Sequence, residues 1–348
     1  MKPNKLLVLT GGGTAGHVMP HVALLPYFRT EGWDLLYIGS HAMERNLMGM
    51  HGVAFVSIAS GKLRRYFSWK NMGDVFRILL GVLQAIWILL RKRPRAIFSK
   101  GGYVSVPVCF AGWLLRIPVV THESDFSPGL ATKLIQRVAH CVCYSFPESQ
   151  RFFPRGKGVY SGNPVRKELG EGSREEGTRL CGFSDTTRPA LLVMGGSLGA
   201  LALNEFVYAN LDALLTRFRV VHITGQQKNR DLVREGYRAF SYVNQELPHL
   251  YATTQLALSR AGANSLFELQ ALGIPMILVP LENGSRGDQV ENADLMVHAG
   301  TAQMVRQAML TWDTFIGGVE RLPLRNMQQR PHVDGAQQVI MKELRKFF

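Results

Sequence analysis

"VLTGGGTAGHVMP", residues Val8 to Pro20, decides the fold. Leu6 to Leu9 read as a short buried strand, which runs into Gly11, Gly12 and Gly13, with Gly16 close behind. Glycines tolerate positive φ and let another group approach the backbone closely. Apolar residues then recur at helical spacing as far as Thr30, so a helix is expected to start near His17 or Val18. Strand, glycine turn and helix N-terminus together make an anion site, because N–H groups and the positive end of the helix dipole point outward. Gly11, Gly13 and Gly16 also fit the dinucleotide fingerprint G-x-G-x-x-G, which calls for an acidic residue at the end of the second strand. That strand ends instead in Gly39, Ser40 and His41, which argues against a nicotinamide cofactor.

Working outward, the same device recurs. Gly195-Gly196-Ser197-Leu198-Gly199 repeats the pattern of Gly12-Gly13-Thr14-Ala15-Gly16, again after a strand and before a helix. First-half strands are expected at Leu6–Leu9, Leu35–Ile38, Phe55–Ile58, Ala96–Ser99, Val119–His122 and Cys141–Tyr144. A polar, glycine-rich stretch, Gly162 to Pro189, reads as the linker. Second-half strands follow at Ala190–Met194, Val220–Thr224, Phe240–Val243, Leu256–Ser259, Met276–Pro280 and Ala302–Val305. A further glycine pair, Gly101-Gly102 in "SKGGYVSVP", follows another first-half strand. The class is α/β. The expected architecture is two doubly wound, Rossmann-like domains facing each other across a cleft, residues 1–163 and 164–332. A C-terminal helix, 333–348, would pack back on the first domain. Ligands of such sheets sit outside the carboxyl ends of the strands.

Composition agrees with two globular cores: 348 residues, 46% hydrophobic and 19% charged. The four cysteines, Cys109, Cys141, Cys143 and Cys181, lack a second pair at metal-site spacing and read as reduced core thiols of a cytosolic protein. Met1 to Lys5 lead directly into the first strand, so no signal peptide is expected. The net charge of +14 is uneven: residues 61–100 carry ten Lys or Arg and one acid, Asp74. Inside that block "ILLGVLQAIWILL", Ile78 to Leu90, is followed by "RKRPR" and preceded by "KLRRYFSWK". The run is too short to span a bilayer, which takes about 20 residues. It suits a core helix with solvated ends or a peripheral membrane patch, in which Tyr66, Phe67, Trp69, Phe76 and Trp87 would dip into lipid. Arg64, Arg65, Lys70, Arg91, Lys92 and Arg93 would then meet anionic headgroups. No nucleic-acid motif accompanies the charge, so nucleic acid is not an expected partner.

"GGGTAGHVMP", "SKGGYVSVP", "THESDFSPGLATK", "SGNPVR", "GGSLGALALN", "SRAGANSLFELQALGIPMILVPL" and "GDQVENA" occur in an order and spacing that resemble the MurG family, from about residue 5 to about 310. The resemblance implies a two-domain glycosyltransferase B fold and inverting transfer of N-acetylglucosamine from UDP-GlcNAc. The acceptor it implies is undecaprenyl-pyrophosphoryl-MurNAc-pentapeptide, the work place the cytoplasmic face of the plasma membrane. It implies no cofactor, with Mg²⁺ acting at most through phosphate, and other cell-wall synthesis proteins as partners. A non-hydrolysing UDP-GlcNAc epimerase shares the architecture and donor but needs no lipid patch. Another lipid glycosyltransferase shares both fold and membrane surface.

The resemblance also assigns residues. On the donor side Ser197 would meet phosphate and Arg166 the diphosphate or uracil side. The N–H groups of Ala263, Asn264, Ser265 and Leu266 would receive the α-phosphate. Glu268 would take the ribose hydroxyls, unless it merely pairs with Arg260. Gln289, beside Asp288 and Asn292, would bind the sugar, and the Asn244 backbone the uracil. Thr14, Ala15, Gly16 and Asp125 would also touch UDP-GlcNAc; an aspartate at 125 accepts hydrogen bonds but donates none when ionised. Gly12, Gly13, Gly101, Gly102 and Tyr103 would form the acceptor and phosphate loops. His17, whose neutral imidazole accepts a proton near pH 7, is the expected general base, and Glu123 the competing one.

Overall fold

Long β-branched and leucine runs, buried on both faces, build two parallel sheets. The computed structural model describes residues 5–61, 70–196, 199–226, 232–282, 287–328, 333 and 335–348. The chain divides into two compact units, one of residues 1–164 with 334–348, the other of residues 165–333.

Unit 1 holds β1 (Leu6–Thr10), β2 (Asp34–Gly39), β3 (Ala54–Ser57), β4 (Ala96–Ser99), β5 (Val119–Glu123), β6 (Cys141–Tyr144) and β7 (Gly158–Tyr160). They lie in the order β3-β2-β1-β4-β5-β6-β7, all parallel. The order reverses between β1 and β4, so the loops leaving these two strands diverge there, where doubly wound sheets take ligands. Helices α1 (Met19–Thr30), α2 (Met43–Met50), α3 (Lys70–Lys92), α4 (Ser105–Leu114) and α5 (Leu130–Val138) make the crossovers. The chain's last helix, Gly335–Arg345, belongs here too: its Ile340, Met341 and Leu344 enter the same core as Leu24, Leu25 and Phe28 of α1. Trp33 stacks on Phe348 with ring centroids 4.1 Å apart.

Unit 2 repeats the scheme with β8 (Ala190–Met194), β9 (Arg219–Ile223), β10 (Tyr237–Phe240), β11 (Leu256–Ser259), β12 (Met276–Leu278) and β13 (Ala302–Met304), in the order β10-β9-β8-β11-β12-β13. Its reversal falls between β8 and β11. The stretch expected as a linker is not one: it carries a 3-10 turn, Lys167–Gly170, and helix α6 (Arg174–Cys181). Ser173 caps α6 by accepting from the Glu176 N–H, and Gly182 ends it at φ +66°. Helices α7 (Leu201–Ala209) and α8 (Leu211–Arg217) follow β8. Gly177 lets α6 press on α9 (Leu247–Thr253); a Cβ on Gly177 would lie 2.1 Å from the His249 carbonyl oxygen.

Candidate functional site

In unit 1 the loops after β1 and β4 lock together. Residues Ala15–His17 form a 3-10 turn, closed by the His17 N–H on the Thr14 carbonyl at 3.1 Å. Gly102 has φ +77°, and a Cβ on it would lie 2.5 Å from the Gly12 carbonyl oxygen and 2.8 Å from the His17 ring. Gly13, at φ +86°, meets the Tyr103 ring in the same way, and Gly12 lies against the buried Glu44 carboxylate. The glycines therefore serve close approach as much as turn geometry. Gly13, Thr14 and Gly16 are exposed, Gly101 is buried, and His17 and Tyr103 are half-buried. The sequence-expected residues of this loop pair are thus brought together.

Behind them lies a charge that sequence reading did not single out. Lys100, buried at the end of β4, places its ammonium 2.6 Å from His122 Nδ1 and donates to Ser124 Oγ. His122 Nε2 is 2.9 Å from the Gly162 carbonyl, so that nitrogen carries the proton and Nδ1 accepts from Lys100. Burial pushes Lys100 down to about 8, opposed by Glu123 and Asp125. Burial, then the Lys100 cation, holds His122 well below its ordinary value. Glu123 is itself buried, and its oxygens accept from the N–H groups of Asp125 (3.2 Å) and Gly129 (3.1 Å). Its carboxylate clasps the loop that carries the half-buried Asp125.

Unit 2 presents the matching pair of loops, after β8 and β11. Ser197 lies outside the described residues; its neighbours Gly196 and Gly199 have φ +80° and +68°. A Cβ on Gly199 would lie 2.1 Å from the Thr224 carbonyl oxygen. Helix α10 (Ala263–Ala271) starts after Gly262, with Ala263, Asn264 and Ser265 leading at its positive end. The Leu266 N–H is spent on the Gly262 carbonyl, and the Ala263 and Leu266 side chains are core. Leu266 therefore shapes the helix start rather than donating there.

Glu268, one turn along, is 14% exposed and lies 3.7 Å from Arg166, which is 11% exposed. Arg260 is not its partner: that guanidinium donates to the Val279 and Pro280 carbonyls and to Gln307. Nor is Arg166 a surface charge; its Nε is buried with no hydrogen-bond partner among the described residues. Tyr251 donates to Glu268 Oε2 at 2.9 Å, a contact no local spacing announces. Burial raises the Glu268 carboxyl against the pull of Arg166 and Tyr251. Gln289 sits in the first turn of α11 (Asp288–His298); its Oε1 accepts from the Leu281 N–H at 2.9 Å, which turns its amide NH₂ toward other acceptors. Asn292 is fully buried and donates to the Ala261 carbonyl, a packing role. Asn244 is exposed, its N–H on Glu246 at 3.0 Å.

Helix α3 settles what Ile78 to Leu90 is. Ala85, Ile88 and Leu89 are buried, while Phe76, Leu79, Leu80, Leu83, Trp87 and Leu90 are 49–71% exposed. These six follow helical spacing and form one stripe, far more apolar surface than scattered residues give. The Arg91 guanidinium lies 4.1 Å over the Trp87 ring. The helix is thus core on one side only. Residues 62–69, including Arg64, Arg65, Tyr66, Phe67 and Trp69, lie outside the described residues. No helix among the described residues is long and apolar enough to cross a membrane.

Comparison with known proteins adds the following. Residues 7–144 match the N-terminal domain of glycosyltransferase family 28, and residues 190–346 its C-terminal domain. A protein of Geobacillus kaustophilus (strain HTA426) is 46% identical over 323 residues, 91% of this chain and 90% of its own. One from Bacillus cereus (strain ATCC 10987 / NRS 248) is 44% identical, covering 92% of each. Both are named UDP-N-acetylglucosamine--N-acetylmuramyl-(pentapeptide) pyrophosphoryl-undecaprenol N-acetylglucosamine transferase, the second numbered 2. The crystal structure of Acinetobacter baumannii MurG superposes with TM-score 0.71 at 23% identity over 99% of this chain and all of that one. UDP-GlcNAc 2-epimerase from Neisseria meningitidis does so with TM-score 0.66 at 13% identity, over 98% and 99%. These two likenesses concern the fold alone.

Proposed function

The chain belongs to glycosyltransferase family 28, and on that premise we propose that it transfers N-acetylglucosamine from UDP-GlcNAc to the C4 hydroxyl of MurNAc in undecaprenyl-pyrophosphoryl-MurNAc-pentapeptide. What carries the reading is the 44–48% identity, over about nine tenths of the chain, to relatives named for that donor and that acceptor. Agreement of the motif set with the switch-point loops of both sheets supports it further.

The chemistry assigns work to named residues. The C4 hydroxyl oxygen attacks the anomeric carbon as the bond to the β-phosphate oxygen breaks, and UDP leaves with that electron pair. His17, against Gly102 on the acceptor-side loops, takes the hydroxyl proton. Glu123, both of whose oxygens serve backbone N–H groups, keeps the Asp125 loop in shape. On unit 2 the positive end of α10 faces the diphosphate, and Arg166 brings a buried Nε, without a partner among the described residues, as a ready donor. Glu268 accepts from the ribose, and the Gln289 NH₂ donates to the sugar. A divalent ion would act through the diphosphate. The apolar stripe of α3, with its basic flank, rests on an anionic bilayer, so the enzyme works peripherally at the cytoplasmic face of the plasma membrane, near other cell-wall synthesis proteins.

An epimerase would share the fold, and the α3 stripe is the observation against it. Incubation of the purified protein with radiolabelled UDP-GlcNAc, with and without a lipid I analogue, tests both. Label is expected in the lipid fraction only when the acceptor is present. Conversion of UDP-GlcNAc to its 2-epimer, with no lipid labelling, would overturn the reading.

A further inference from the structure

Tyr251 is a buried phenol whose one proton is committed. It is fully buried, its hydroxyl lies 2.9 Å from Glu268 Oε2, and the weakly accepting Met194 Sδ lies 3.7 Å away. The carboxylate is the stronger acceptor by far, so the O–H points at Glu268. Three elements meet at this spot: the end of β8, helix α9 and helix α10.

An ionised carboxylate offers about four lone-pair positions. Tyr251 takes one on Oε2, and Arg166, 3.7 Å from Oε1, lies near another. The remaining pair, one on each oxygen, suits two adjacent hydroxyls. We propose that Tyr251 is a positioning residue of the donor site, holding Glu268 ionised and fixed in rotation so that it accepts both hydroxyls of a ribose diol. The inference rests on the reading of Glu268 as the ribose acceptor.

The surroundings explain why such a residue is needed. The charged groups facing Glu268 are Arg166, which favours ionisation, and Glu168 of the 3-10 turn, which opposes it. Burial is the largest influence and favours the neutral acid. A protonated Glu268 would have an O–H of its own to place and fewer lone pairs to give. The Tyr251 hydroxyl works against that outcome, and Tyr251 itself is held well above its ordinary value, by burial first and by Glu268 next, so it remains a donor.

The test uses the full chain and three variants, Tyr251→Phe, Glu268→Gln and the double. Calorimetry gives affinities for UDP and for 2′,3′-dideoxy-UDP between pH 5.5 and 8. Tyr251→Phe is expected to weaken UDP about tenfold at neutral pH while dideoxy-UDP changes by less than about twofold. Its UDP affinity should also fall off at a higher pH than that of the unaltered protein. Glu268→Gln should abolish the preference for the diol, and adding Tyr251→Phe to it should cost nothing more. If Tyr251→Phe weakens both ligands equally at every pH, or adds fully to Glu268→Gln, Tyr251 only packs and the inference falls while the Glu268 reading stands. If Glu268→Gln keeps the preference for the diol, the ribose reading falls and takes the inference with it. Thermal unfolding checks that the Tyr251→Phe ring, unchanged in shape, keeps the fold.

Discussion

Replacing Leu83 and Trp87 of α3 by glutamine should detach the protein from membranes without unfolding it. Leu83 is 65% and Trp87 57% exposed, so each already faces water in the isolated protein and little core packing is lost. Full burial of a large apolar side chain is worth about 1.5–3 kcal/mol. With more than half of each still unburied, insertion into lipid should return about 1–2 kcal/mol per residue, and glutamine returns none of it. The double variant should then lose about 2–4 kcal/mol of binding, on the order of 100-fold in partition. Basic residues add about 1 kcal/mol each near an anionic surface, and Arg77, Arg91 and Arg93 are exposed on or beside this helix. Sedimentation with phosphatidylglycerol-containing vesicles over a salt series separates the two contributions. High salt should weaken binding of the unaltered protein yet leave a residue that the double variant lacks. Turnover on a full-length polyprenyl acceptor should fall with binding, whereas turnover on a short-chain, water-soluble acceptor should stay. A double variant that co-sediments like the unaltered protein would refute the reasoning, and so would complete release of the unaltered protein by salt.

Two further outcomes follow from the site and the core. His17→Ala should lower turnover by roughly 10²–10⁴-fold while UDP affinity, which the proposed function assigns to unit 2, stays within about twofold; near-normal turnover would leave the imidazole a purely structural role. His222, buried between Tyr237 and Asn204, is held at about 4 by burial, below its ordinary value of 6.5. Its neutral form therefore lends stability that is complete above about pH 6.5 and is lost as pH falls toward 4, at about 1.4 kcal/mol per pH unit. Urea unfolding from pH 7 to 4.5 should show a slope to which the buried, neutral His122 also contributes, and His222→Gln should reduce it; identical slopes would refute the assignment.

Residue patterns revealed the inner strands of each sheet and two of the four edge strands, Ala54–Ser57 and Ala302–Met304, close to the expected Phe55–Ile58 and Ala302–Val305. Ala96–Ser99, Cys141–Tyr144, Ala190–Met194 and Leu256–Ser259 form as expected because strands buried on both faces read as unbroken apolar runs. Gly158–Tyr160, an edge strand of three partly exposed residues, carries no such signal. An edge strand of the second sheet, Tyr237–Phe240, starts three residues earlier than the apolar run at Phe240 suggests. Glycine content made Gly162 to Pro189 look like a linker, whereas Gly177 is there for close helix contact. In the sites, the glycine loops were legible because their chemistry is local. Lys100 with His122, and Tyr251 with Glu268, were not, since each pair joins different elements across a crossover. The partner of Glu268 was sought nearby at Arg260 and found at Arg166, far off in sequence.

The return of residues 335–348 to unit 1 bears on how the molecule is made. As the chain emerges during synthesis, α1 and Trp33 appear early, yet Ile340, Met341, Leu344 and Phe348, which cover them, follow only after all of unit 2. Every residue of unit 2 is therefore available before unit 1 can close its core. A nascent first half must wait with an apolar helix face uncovered, the condition under which chains aggregate or engage chaperones. A stop codon before Ile340 would thus injure the half of the protein that was synthesised first.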